Sequence, residues 1–112
     1  MDKSKRIEKE SKILLGLFKD IPSSKKTLVE GLIQRAAYMR VTLEVFENDI
    51  DTNGYIENFS QSERLDPYER TRPVAQLYNT MNKNYQSIIK QLVDLLPVEV
   101  SKSAADEIKA WL

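Results

Sequence analysis

The chain has 112 residues and contains neither cysteine nor histidine. Without cysteine there is no disulfide framework and no thiolate metal site. Without histidine the usual imidazole ligand and the usual general base are both missing. These absences remove most hydrolase and metalloenzyme hypotheses. A GxxxxGK[ST] phosphate loop is also lacking, so nucleotide hydrolysis is not expected, and the chain reads as a non-enzyme without a cofactor or metal. No stretch approaches the ~18 apolar residues of a membrane span. The N-terminal MDKSKRIEKE is basic but has no apolar core of signal-peptide type behind it, so a cytoplasmic location without membrane association is expected.

What is present describes one folded domain: 41% of the residues are hydrophobic and 30% charged. The zero net charge conceals a division along the chain. Residues 1–26 carry eight basic against four acidic side chains, a net of +4, and residues 27–66 carry three against eight, a net of −5. The remainder is nearly balanced at +1. Such a molecule can hold a polyanion at one end without being basic overall.

The apolar spacing is helical throughout. Ile7, Leu14, Leu15 and Phe18 recur at helical intervals, and Ile21-Pro22-Ser23-Ser24 then breaks the helix and offers a serine N-cap. A long second helix is predicted from about Ser24 to Ile50, with a heptad-like seam of Leu32, Ala36, Met39, Leu43, Phe46 and Ile50. Gly54 suits its C-cap. Pro73 is placed to open a third helix, whose stripe of Val74, Leu77, Met81, Tyr85, Ile88, Leu92 and Leu95 ends before Pro97. Two long helices joined by about twenty residues most simply form an antiparallel hairpin. Strand signals are negligible, and Val98-Glu99-Val100 is too short to argue for a sheet. The expected fold is therefore all-α: a basic N-terminal helix over residues 1–22, a helix-hairpin core over 23–97 and a C-terminal tail helix over 98–112.

The segment Asp49-Ile-Asp51-Thr-Asn53-Gly54 has the opening spacing of a calcium loop. Position twelve of that loop requires a bidentate glutamate, and Ser60 stands there instead. Pro67 would also stop the exit helix early. Useful calcium binding is therefore not expected, and a polar turn explains the same residues. Trp111, the single tryptophan, either docks back on the hairpin with Ala104, Ala105, Ile108 and Leu112 or meets a partner, and docking is the simpler reading. Tyr38, Tyr68, Tyr78 and Tyr85 read first as core edge and interface.

The order of a long helix, Asn53-Gly54-Tyr55-Ile56, a polar loop, and Arg72-Pro73-Val74-Ala75-Gln76-Leu77-Tyr78-Asn79 opening a helix that runs to Leu95-Leu96-Pro97 resembles the small terminase subunit of tailed bacteriophages and prophages, over about residues 24–97. The N-terminal thirty residues show no helix-turn-helix, and no Ser/Arg-rich segment follows Pro97. The resemblance implies a DNA-packaging protein in the cytoplasm of a bacterial host. It would assemble as a ring-forming homo-oligomer, bind double-stranded phage DNA at the packaging site and deliver it to the large terminase subunit. The alternatives are a helical protein-interaction module of phage or host origin that never touches DNA, and a calcium-responsive binder.

Two sets of residues follow. Lys5, Lys9 and Lys12 share one face of the first helix with Arg6 beside them, the expected phosphate-contact row. Met39, Leu43 and Phe46 on the second helix and Met81, Tyr85 and Ile88 on the third are the expected oligomerisation residues, because two helices cannot bury that much apolar surface on each other.

Overall fold

The computed structural model describes residues 2–96 and 102–111, with only the backbone described for 102–105. It is mostly helical, with α1 (Lys3–Gly16), α2 (Ser23–Asn53), α3 (Pro73–Asp94) and α4 (Lys102–Lys109). A two-stranded antiparallel ribbon, β1 (Ile56–Phe59) and β2 (Tyr68–Thr71), stands between α2 and α3. Among the described residues no helix is long and apolar enough to cross a membrane. Val98–Val100, Pro97 and Leu112 lie outside the described residues, as do the side chains of Ala104 and Ala105.

Local chemistry sets the helix ends. Asp2 caps α1 by accepting from the Lys5 amide at 2.8 Å, satisfying one of the free N–H groups of the first turn. The expected serine cap of α2 is corrected: Pro22 holds the N-cap position with no side-chain hydrogen bond, and both serines lie inside the helix. α2 then runs three residues beyond Ile50, to Asn53, and stops at Gly54 with φ 81° and ψ −179°. That backbone region is essentially restricted to glycine. Arg72 is the N-cap residue of α3 and Pro73 opens the helix, where its missing N–H is no loss.

α2 and α3 form the expected antiparallel hairpin. Three cross-contacts trace it, Asp49 with Arg72, Glu47 with Tyr78 and Arg40 with Tyr85, one partner descending in number as the other rises. α1 runs back along α2: Arg6 reaches Glu44, Lys3 lies over Tyr38, and Leu14 and Phe18 join the core with Val29 and Ile33. α4 folds back along α3, bringing Ile108 and Trp111 onto the same core as Tyr85, Ile89 and Leu92. Leu14, Ile33, Ile89, Leu92 and Ile108 are fully shielded from solvent, and burying a side chain of this size contributes about 1.5–3 kcal/mol.

The all-α expectation is corrected by the ribbon. Its register pairs Ile56 with Thr71 and Phe59 with Tyr68, and cross-strand side chains stabilise it in place of a buried face. Phe59 and Tyr68 meet edge to face with centroids 5.9 Å apart, the Arg70 guanidinium lies 3.5 Å over the Phe59 ring, and Arg70 also pairs with Glu57. The ribbon extends from one end of the hairpin and gives a rod of 64 × 26 × 23 Å.

Candidate functional site

Two surfaces carry the expected functional residues. The first is α1. Lys5 and Lys9 are exposed and make no ion pair among the described residues, whereas Lys12 is paired with Glu8 at 3.3 Å. Arg6 is turned toward the protein: its guanidinium meets Glu44 at 2.8 Å and Glu10 at 3.3 Å, which pins α1 to α2. The row therefore divides. Lys5 and Lys9 present free charge to solvent, Lys12 shares its charge with a neighbour, and Arg6 anchors the helix that carries them.

The second surface is the side of the hairpin away from α1 and α4. Ala37, Val41 and Glu44 share the face of α2 on which α1 lies, and the two buried residues are small enough for close approach. α4 arrives on the same side, because Arg40 touches both Tyr85 and Trp111. One turn of a helix takes about 3.6 residues, so Leu32, Met39 and Phe46, spaced by seven, point to the other side of α2. Met81 and Ile88 do the same on α3, beside Leu77, which is 58% exposed. Met39, Phe46, Met81 and Ile88 are all half-buried there. The other two expected oligomerisation residues, Leu43 and Tyr85, are 6% and 3% exposed, inside the hairpin of a single chain.

Tyr85 belongs to a polar cluster that the sequence does not signal. Its hydroxyl donates to the Trp111 carbonyl, Arg40 Nη1 donates to the same carbonyl at 3.4 Å, and the Arg40 guanidinium lies 4.6 Å over the Trp111 ring. Burial pushes the Tyr85 hydroxyl above its ordinary range, and the hydrogen bond from Arg40 partly opposes this. Trp111 thus docks on the hairpin through its ring and its backbone. Helical spacing is silent on this cluster, because the shared acceptor is a main-chain carbonyl.

The ribbon is rooted by a second cluster. Arg72 donates to both carboxylate oxygens of Asp49, at 3.0 and 3.1 Å, and to the Gly54 carbonyl at 2.8 Å. Asn53 also donates to Asp49, at 2.6 Å. These bonds, first Asn53 and then Arg72, hold the Asp49 carboxyl below its ordinary range. The three oxygen positions of the would-be calcium loop fall within about one turn at the end of α2: Asn53, one turn after Asp49, is bonded to it, and Asp51 points around the helix from both. Among the described residues no three acidic side chains converge in a way that could hold a metal. Nearby, Tyr78 donates to Glu47 at 2.9 Å, which raises the tyrosine's pKa.

Of the four tyrosines expected at core edge and interface, Tyr85 is buried, Tyr78 half-buried, and Tyr38 and Tyr68 about half exposed. Comparison with protein-family models, with curated proteins and with solved structures finds no match to this chain.

Proposed function

We propose that this chain is a small terminase subunit: a non-enzymatic oligomer that binds double-stranded phage DNA through phosphate contacts and passes it to the large terminase subunit. The observation that carries this reading is the pair Lys5 and Lys9. They are held outward as free charge on a helix that Arg6, Leu14 and Phe18 fix to the hairpin. Phosphate contacts of this kind position a duplex without reading its bases, and repetition of the pair around an assembly multiplies a weak contact into a useful affinity. The resemblance of residues 24–97 to small terminase subunits supports the same reading, and the half-buried side of the hairpin offers a surface for assembly.

A mobility-shift assay with phage and random DNA at several salt concentrations, alongside size-exclusion chromatography with light scattering, tests the proposal. Salt-sensitive binding by an oligomer is the expected result. A monomer at tens of micromolar that does not shift DNA at low salt overturns it.

A second reading has its own support. Arg6 and Lys12 are already engaged by carboxylates, while Leu77 is 58% exposed on the side of α3 that also bears the half-buried Met81 and Ile88. A protein-interaction module that binds no DNA would use that side to hold a partner, and its assembly would then survive without any DNA shift.

A further inference from the structure

The two ends of the rod differ in both shape and charge. At the end where α1 turns into α2, Leu15, Phe18 and Ile21 line a cavity of about 380 Å³, rimmed by Lys19, Lys26 and Glu30. At the opposite end is the tip of the ribbon, Glu63-Arg64-Leu65-Asp66, where Leu65 is 56% exposed. The tip is internally ordered. The Leu65 amide donates to the Ser62 carbonyl, and the Ser60 hydroxyl lies within bonding distance of the Ser62 and Leu65 carbonyls. An apolar side chain between two acids therefore stands on a preformed turn, which lowers the ordering cost of binding.

We infer that the cavity receives the ribbon tip of a second copy of this chain. Leu65 enters among Leu15, Phe18 and Ile21, Glu63 and Asp66 meet Lys19 and Lys26, and Arg64 meets Glu30. The charge pattern selects this occupant: two acids and one base on the tip face two bases and one acid on the rim. A chain cannot serve itself. The 31 residues of α2 separate its own tip from its own cavity, and at about 1.5 Å per residue that helix is a strut of more than ~40 Å. The contact joins unlike surfaces, so it is head to tail, and repetition gives a closed ring or an open chain according to the rotation at each joint. It is separate from the apolar side of the hairpin bearing Met81 and Ile88, and either contact can fail without the other.

The absence of cysteine makes the test direct. Ile21→Cys and Leu65→Cys variants, mixed in equal amounts under mild oxidation, should form the mixed 21–65 disulfide in excess of its statistical share. Lys19→Glu with Lys26→Glu in the first variant should abolish that excess, as should Glu63→Lys with Asp66→Lys in the second. Combining the two reversed partners should restore it. Circular dichroism of each variant checks that the helices are retained, and adding Ile88→Asp should leave the mixed product unchanged. Statistical or purely symmetric products from folded variants, or a mixed product indifferent to both charge reversals, overturn the inference.

Discussion

Asp49 and Arg72 are 23 residues apart in sequence and meet through two hydrogen bonds of 3.0 and 3.1 Å at the junction where α2 ends and α3 begins. With the bond from Arg72 to the Gly54 carbonyl, this pair closes the root of the ribbon with side chains from both helices. Both Asp49 bonds come from one guanidinium nitrogen, Nη2, while Nη1 donates to the Gly54 carbonyl, so the planar group ties the carboxylate and the backbone of the turn together.

The acid dependence of stability should report this junction. Asp49 has a carboxyl pKa below the ordinary value of 3.8, so its contribution to stability is complete above that value and is lost as pH falls through the depressed folded-state pKa. The window lies below about pH 4. Urea midpoints measured at pH 7 and pH 3 should fall less on acidification for Asp49→Asn than for the wild type, and equal losses would show that Asp49 does not contribute.

Trp111, as the single tryptophan, reports the docking of α4. Tyr85→Phe removes the hydroxyl that donates to its carbonyl and should destabilise by about 1 kcal/mol, the usual net worth of one such bond. Arg40→Ala removes the ring contact and the second donor, and should shift the fluorescence emission to longer wavelength as the indole meets water. An unchanged spectrum in Arg40→Ala would mean that Ile108 alone holds the tail.

Substitution on the hairpin should separate folding from assembly. Leu43→Asp places a charge at a site only 6% exposed and should cost about 3–5 kcal/mol, destabilising the chain itself. Ile88→Asp, at a half-buried position packed on the edge of the core, should lower the thermal midpoint of the monomer less than Leu43→Asp does, while lowering the mass seen by light scattering. If Ile88→Asp leaves that mass unchanged, assembly uses another surface.

Charge reversal at Lys5 and Lys9 should weaken DNA binding and flatten the dependence of log affinity on log salt by roughly 0.9 for each phosphate that is no longer neutralised. Neutralisation by Lys12→Gln should add less than the Lys5 and Lys9 changes, because Lys12 already pairs with Glu8. Arg6→Ala should act first on stability, since it releases Glu44 from α1. Wild-type affinity and slope in the Lys5→Glu, Lys9→Glu variant would move the DNA-binding surface elsewhere, with Arg64, Arg70 and Arg72 before α3 the next to test.

The helices are legible in the sequence because their periods are long and regular, and Pro73 and Gly54 act where their backbone chemistry demands. The phase of burial is less legible. Of the seam of Leu32, Ala36, Met39, Leu43, Phe46 and Ile50, the second, fourth and last are buried and the other three half-buried, because α2 has two neighbours: Val29, Ile33, Ala36 and Leu43 share one core with Leu14 and Phe18 on the α1 side and with Tyr85, Ile89 and Leu92 of α3. The ribbon is invisible in the sequence because each strand has four residues and no buried face. Its stability comes from the pairing of Phe59, Tyr68, Arg70 and Glu57 across strands, which no single segment encodes. Of the candidate surfaces, the outward Lys5 and Lys9 follow from spacing, but the inward turn of Arg6 depends on Glu44, 38 positions away.

The ribbon is attached at one end only, and its root is clamped by Arg72. It is therefore mechanically a cantilever. A small rotation about the Gly54 and Arg72 joints sweeps the tip through a much larger arc, and a load applied at Leu65 is delivered as torque to the ends of α2 and α3.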